Sequence, residues 1–279
     1  MKPPHAFRGD GHWRHGSRGD EVRGGSGAGP AGSGGGRGVL QGAFAVLQQV
    51  ARCGEAGLTE LAAATGVPKA SVHRLLDQLA GLGMVHRGPG GRYRVGARAF
   101  ALGQAWDPAP VLRSAATAPV RRLAAATGDS VCLAVMDAAD ALVVAGMLGR
   151  ADELISLRPG LVLPPGTATE AVITAARPMV TVPPGSSRAE WIRRVRQARD
   201  QGVAFDLQAT ELPVACVAAP VHAPGGAVVS AIGVVVLEAR RLPELAGAVR
   251  DTADKISANL ARIPGAGRVL APLAGTTEH

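Results

Sequence analysis

The chain has 279 residues, 47% of them apolar and only 3% aromatic, enough for one large or two ordinary domains. No apolar run approaches transmembrane length, the N-terminal MKPPHAFRGDGHWRHGSRGD lacks the apolar stretch of a secretory signal, and Cys53, Cys132 and Cys216 offer neither a disulfide framework nor a C-x-x-C zinc site; a soluble cytoplasmic protein is expected. The net charge of +8 is uneven: residues 1–37 carry six basic and three acidic side chains, 38–106 seven and three, and 107–279 seventeen and sixteen, so the surplus sits in the first third, as a polyanionic partner would require.

Residues 1–38 are rich in Gly, Arg, His and Ser and poor in aliphatics, so a disordered tail is expected. From Val39 the pattern changes. Leu40, Ala43, Phe44, Leu47, Val50 and Ala51 recur at helical spacing, and Gly54 and Gly57 end the run. Thr59 stands where an N-cap should, ahead of a short helix that stops at Gly66. Val67-Pro68 opens a third helix, with Val72, Leu75, Leu76, Leu79 and Leu82 on its buried face. Its other face carries Lys69, Ala70, Ser71, His73, Arg74 and Gln78.

Met84 to Val95 then alternates around the turn GPGG, with Val85, Tyr93 and Val95 inward and Arg87, Arg92 and Arg94 outward. Three helices and a basic hairpin make a winged helix-turn-helix over residues 39–96. The Gly66 turn braces the second helix against the third, which suits a major groove, and the flap sets its cations against phosphates. A winged helix also serves for protein docking; the basic surplus and small polar face favour DNA.

Residues 97–110 read as a linker helix and its Pro-rich end, and 111–128 as the first helix of a second domain, which Pro119 should break or kink. SVCLAVMDAADALVVAGML reads as a hairpin, with short strands expected at Leu154–Arg158 and Leu161–Leu163. GTATEAVITAA, RAEWIRRVRQARDQG and LPELAGAVRDTADKISANLARI read as helices, and VACVAAPVHAPGGAVVSAIGVVVLEA as a second hairpin turning at APGG. An antiparallel sheet with helices is an α+β plan, placed at residues 111–263 with a flexible tail at 264–279. The basic RRVRQAR stretch reads as a solvated face.

From Val39 to Arg262 the chain resembles the IclR family of bacterial transcriptional regulators. The resemblance rests on GLTELAAATGVPKASVHRLLDQLAGLGMV, RYRVGARAFALG, RRLAAATGDSVCLAVMD and CVAAPVHAPGGAVVSAIGV. It implies a winged helix-turn-helix and a GAF-like effector-binding domain, homodimers often paired into tetramers, palindromic double-stranded operators, and control by a small organic metabolite. Thr59, Lys69, Ala70, Ser71, His73, Arg74, Arg87, Arg92 and Arg94 are then the expected DNA contacts. For the effector it implies the backbone amides of Gly166, Thr167 and Ala168, at a helix N-terminus that favours anions. Asp206 and Cys216 match a paired acidic residue and cysteine ten positions apart. Gly233 and Val235 stand where relatives that bind small carboxylates carry two serines, and Thr169-Glu170 where a Gly-Lys pair is usual. An effector less acidic and more apolar than those carboxylates is expected, with Val131, Leu133, Val135 and AIGVVV as walls.

Each site residue has a plainer alternative. Cys216 in an apolar strand suits a small hydrophobe, Asp206 a loop carboxylate, and the hairpin arginines an ordinary charged surface. No nucleophile–base pair, paired carboxylates, phosphate loop or cofactor motif supports an enzyme, and the seven histidines show no metal spacing. Three readings stay open: a ligand-gated regulator, a regulator whose second domain only dimerises, and an enzyme with an accessory winged helix.

Overall fold

The first helix buries a different arc from the one its largest apolar residues mark. The computed structural model describes residues 35–138, 140–207 and 213–275, and the chain divides into two compact units between Ala105 and Trp106. Helix α1 spans Gly35–Cys53, so it begins inside the segment expected to be a disordered tail; residues 1–34 lie outside the described residues. Val46 and Val50 are buried, with Ala43 and Leu47 packed beside them. Leu40 and Phe44 stay exposed, because the two helices that follow cover only the side of α1 centred on the valines.

Helix α2 (Leu58–Thr65) starts two residues earlier than a Thr59 cap would require. Its N-cap is Gly57, whose N–H donates to Glu60 Oε2 at 3.0 Å, and Thr59 is the second helical residue. Gly66, at φ +67°, ends the helix in the left-handed conformation and returns its N–H to the Ala62 carbonyl at 3.1 Å. Helix α3 (Lys69–Gly81) follows, with Pro68 just ahead of it. Val72, Leu75, Leu76 and Leu79 pack against Val46, Val50 and Leu61. Leu82 does not join them and is 67% exposed, because the helix has already ended and the left-handed Gly83 turns the chain. Strands β1 (Val85–Arg87) and β2 (Tyr93–Val95) form the wing, with Val85 opposite Val95 and Arg87 opposite Tyr93. Val85 and Tyr93 are buried, but Val95, at the open end of the hairpin, is exposed. Helix α4 (Ala97–Gln104) closes the unit.

The second unit opens with α5 (Pro108–Thr127), which takes in residues 108–110 of the expected linker. Pro119 does not break it. Proline cannot donate to the carbonyl four residues back, that of Ala115. Asn259 Nδ2 donates to that oxygen instead, at 2.9 Å. We expect Asn259→Ala to lower stability by about 1–2 kcal/mol, the cost of an unmet carbonyl, read as a shifted urea midpoint. An unchanged midpoint would mean that water serves this oxygen equally well.

Six strands follow: β3 (Ser130–Asp137), β4 (Asp140–Met147), β5 (Val162–Leu163), β6 (Ala204–Asp206), β7 (Ala215–His222) and β8 (Val228–Val236). They form one antiparallel sheet in the order β5-β4-β3-β8-β7-β6. Helices α5 and α8 (Leu242–Ala261) cover one face, and α6 (Ala168–Ala175) and α7 (Arg188–Gln201) the other, as an α+β plan requires. Along β3, Val131, Leu133 and Val135 belong to the α5/α8 core, whereas Cys132, Ala134 and Met136 face α6 and α7. Leu154–Arg158 is not a strand. It packs down on the sheet at Gly146, where a Cβ would lie 1.8 Å from the Leu157 carbonyl oxygen, so only glycine fits. Nor are residues 264–275 a loose tail. Helix α9 (Ala266–Leu270) and a 3-10 turn at Ala271–Ala274 bury Ala266, Leu270 and Leu273 in the α5/α8 core, because three small apolar anchors suffice to hold so short a segment. No helix among the described residues is long and apolar enough to cross a membrane.

Candidate nucleic-acid interface and effector cavity

The exposed face of α3 carries Lys69, Ala70, His73 and Arg74, with Ser71 half-buried and Thr59 exposed in the first turn of α2. His73 Nδ1 lies 3.0 Å from the Asp77 carboxylate, one turn on. Arg74 has no hydrogen-bond or ion-pair partner among the described residues, so its fork of donors is available to an outside acceptor.

The three wing arginines differ. Arg92 does not point freely at an outside phosphate, because two glutamates of its own domain hold it. Its Nη1 donates to Glu60 Oε1 at 3.1 Å, and Nη2 to Glu60 Oε2 at 3.0 Å and to the Glu55 carbonyl at 3.1 Å. Nε lies 3.5 Å from the Glu55 carboxylate. The Arg92 fork and the Gly57 N–H hold Glu60 below the ordinary carboxylate pKa, and the bond to Glu60 raises Arg92. Ala56 and Tyr93 also exchange backbone bonds, at 3.0 and 2.8 Å, so the wing is tied to the α1–α2 connection by main chain and side chain together. Arg87 lies over the Tyr93 ring, 5.7 Å from its centroid. Arg94 is exposed, and its nearest carboxylate oxygen, on Glu55, is 3.9 Å away. Arg87 and Arg94 remain accessible cations. In the sequence the only sign of Glu60's role is that Gly57-x-x-Glu60 has the spacing of a helix cap.

On the α6/α7 side of the sheet an interior cavity of about 30 Å³ is bordered by Cys132, Leu163, Thr167, Thr169, Asp206, Cys216 and Val235, among others. Asp206 sits opposite Cys216 in the β6–β7 pairing, and Cys216 opposite Val235 in β7–β8, which brings three of the expected residues to one place. Gly233 lies beside them between Cys132 and Ala218. A Cβ there would lie 3.1 Å from Thr169 Oγ1, which would have to give way by a few tenths of an ångström, and at ordinary contact distance from Cys216 Sγ (3.4 Å) and Cys132 Sγ (3.6 Å). The walls come from Cys132 and not from Val131, Leu133 or Val135, which face the other way. Burial pushes the Cys132 thiol up to about 12 and the Cys216 thiol well above its ordinary value, which leaves both protonated and weakly nucleophilic at neutral pH. Gly166 and Asp206 also border a wider groove of about 740 Å³ formed with α7 and the start of α8.

At the start of α6 the chain caps itself. Thr167 is the N-cap and its hydroxyl accepts from the Glu170 N–H at 3.4 Å. The Gly166 N–H donates to Glu170 Oε2 at 2.6 Å. Gly166, one of the amides expected to hold a ligand's acid group, is therefore already engaged, while Thr167 borders the cavity and Ala168 is buried in the first turn. Glu170 is 7% exposed. Burial raises its pKa, opposed by the Gly166 N–H and the charges of Arg194 and Arg177. The sequence held a sign of this, since Thr167-x-x-Glu170 is a capping-box spacing. Among the described residues no group of three or more His, Cys, Asp or Glu side chains could hold a metal ion.

Comparisons with known proteins agree with this architecture. The IclR helix-turn-helix domain matches residues 39–89, and the bacterial transcriptional regulator IclR C-terminal domain matches 180–258. The glycerol operon regulatory protein of Streptomyces griseus is 33% identical over 232 residues, covering 76% of this chain and 90% of that protein. The crystal structure of the Thermotoga maritima IclR covers 81% of this chain and 99% of its own, at 19% identity and a TM-score of 0.58. That of an IclR homolog from Microbacterium hydrocarbonoxydans complexed with 4-hydroxybenzoate covers 80% and 98%, at 19% identity and a TM-score of 0.63.

Proposed function

Because the chain belongs to the IclR family of bacterial transcriptional regulators, and so binds DNA, we propose that a small organic metabolite bound in its second domain controls its grip on a palindromic operator. The observation that carries the DNA half is Arg74, exposed and without a partner among the described residues, on a helix whose opposite face is locked into the core. Lys69, Ala70, Ser71, His73 and Arg74 read base edges or nearby phosphates, and Thr59, Arg87 and Arg94 fix the register on the backbone. The effector half is supported by the cavity of Thr167, Thr169, Asp206, Cys216 and Val235, and by the 4-hydroxybenzoate complex of the Microbacterium relative. Homodimers, paired or not, present two such helices to two half-sites. Exposed Leu40 and Phe44 on α1 and Phe100 and Leu102 on α4 supply apolar surface that suits a second copy. Residues 39–96 form the DNA-binding domain in this reading, and the sheet domain reaches to residue 275.

A second reading rests on the size of the interior cavity. A space of about 30 Å³ holds about two waters and no organic metabolite as it stands, which favours a second domain that assembles the protein and takes no metabolite. A gel shift on the DNA upstream of the protein's own gene, against scrambled DNA and with a metabolite panel, decides. Operator preference released by one compound is the expected result. Preference that no compound releases supports the second reading, and no preference for any natural upstream DNA overturns the operator assignment.

A further inference from the structure

We propose that the segment from Gly149 to Gly160 is a strap that shuts the interior cavity and lifts as a unit; as the way in for an effector, it rests on the metabolite reading above. The segment leaves the sheet after β4, returns at β5, and gives Ile155 and Leu157 to the cavity wall. Ala151 and Leu157 are buried and Ile155 half-buried, so it lies on the sheet by apolar contact. Its polar ties to the sheet are confined to its ends. At the near end the Gly149 N–H donates to Ser130 Oγ at 3.0 Å, the Arg150 N–H to the Gly128 carbonyl at 3.1 Å, and Arg150 Nε to Asp129 Oδ1 at 3.2 Å. At the far end the Gly160 N–H donates to the Val143 carbonyl and the Val143 N–H to the Leu161 carbonyl, both at 2.8 Å. Between them, among the described residues, the hydrogen bonds of residues 151–158 close within the strap: Leu154 and Ile155 donate to the Ala151 carbonyl, and Arg158 to that of Ser156. Such a segment opens without breaking a sheet bond, which puts it at the low end of local stability. Asp152 Oδ1 adds to this. It is buried with no hydrogen-bond partner among the described residues, and lifting returns it to water. The other described walls lack this freedom. Cys132, Cys216 and Val235 stand on strands paired on both sides, and Thr167 and Thr169 on the capped start of α6. The Leu157 carbonyl lies over Gly146, and Gly146 pairs with Cys132, so a lifted strap uncovers the cavity at Cys132. The volume of about 30 Å³ is then that of the shut state.

Two buried thiols report the lift. Cys132 and Cys216 border the cavity, and Cys53, exposed in the first unit, calibrates the reagent. The full-length protein is treated with methyl methanethiosulfonate, without DNA or metabolite, and each cysteine is followed by mass spectrometry. Wild-type Cys53 should react at once. Cys132 and Cys216 should react slowly, at a rate that low urea leaves unchanged, because lifting the strap exposes little surface. Leu157→Ala removes the buried anchor, and Gly146→Ala places a methyl 1.8 Å from the Leu157 carbonyl oxygen, so the strap must give way. Each should speed labelling of both buried thiols by about tenfold or more. Ile173→Ala, a truncation of similar size on α6 away from the cavity, should not do so when compared at equal global stability. The proposal falls if Ile173→Ala speeds labelling as much as the strap variants, if the strap variants label at the wild-type rate, or if labelling follows urea as global unfolding does. Should neither strap variant fold, hydrogen exchange of the wild type decides. The Leu154 and Ile155 amides should exchange about tenfold or more faster than those of Gly160 and Val143, which hold the hinge, and equal protection would overturn the strap. With no metabolite present, a failed metabolite screen leaves the strap standing, and a strap that never lifts leaves the gel shift to decide gating.

Discussion

Arg74→Ala should lower the preference for operator over scrambled DNA by about five- to a hundredfold, the range expected when one good pairing with a base edge is lost. The reasoning starts from the helix. Val72, Leu75, Leu76 and Leu79 commit one side of α3 to the core, so the side centred on residues 70, 73 and 74 must face out. Of the long side chains there, His73 is drawn to Asp77, and Lys69 sits at the helix start, where a point charge suits a phosphate. Arg74 alone combines exposure, a planar fork and no internal partner among the described residues. Guanine offers two acceptors side by side in the major groove, which such a fork matches. Binding to scrambled DNA should fall little, because the phosphate contacts that dominate it remain. Melting should stay within about 2 °C of the wild type, since the residue supports no buried group. Competition binding at fixed salt measures the ratio. A variant that keeps the full operator preference would remove Arg74 from base reading.

What the sequence disclosed is local, and what it hid depends on partners far along the chain. The spacing of Val72, Leu75, Leu76 and Leu79, the stop at Gly66 and the GPGG turn are decided within a few residues, and each element stands where they put it. The apolar arc of helix α1 is wider than one docking surface, so which part of it is buried depends on where α2 and α3 dock, and Leu40 and Phe44 are left outside. Strand β3 is apolar on both faces, because helices cover both. Alternation therefore could not tell Val131 from Cys132 as the cavity wall. Strand β6 is three residues long and shows no pattern of its own; it exists because β7 offers an edge. Pro119 looked like a break because the residue that serves the stranded carbonyl, Asn259, lies 144 positions from Ala115. The strand register brings Asp206, Cys216 and Val235 to one place, whereas the bond from the Gly166 N–H to Glu170 depends on a capping turn that the sequence signals only by the spacing Thr167-x-x-Glu170.

Arg92→Ala and Glu60→Ala should change DNA binding in the same direction, both weakening it. Two accounts of Arg92 give opposite signs. If Arg92 grips a phosphate and Glu60 restrains it, removing Glu60 frees a cation and strengthens binding, whereas removing Arg92 weakens it. If Arg92 holds the wing in place by gripping Glu60 and Glu55, removing either end loosens the wing, and the effects agree. The structure favours the second account, because every guanidinium nitrogen of Arg92 already faces an oxygen of its own domain within 3.5 Å. Glu60 is similarly committed, to Arg92 and to the Gly57 cap. In the double variant the two losses should not add, since each single change breaks the same link. Operator and scrambled DNA should weaken alike, because the wing positions the domain and does not read bases. The slope of log affinity against log salt should remain that of the wild type in Arg92→Ala, because no phosphate contact is removed. Arg94→Ala, by contrast, should flatten that slope by about one unit. The link also has a pH signature. Arg92 holds Glu60 below its ordinary pKa, so the stabilisation is complete at neutral pH and is lost only in acid, as pH falls through the lowered value. Stronger DNA binding by Glu60→Ala, or a salt slope flattened by Arg92→Ala, would return Arg92 to the phosphate backbone.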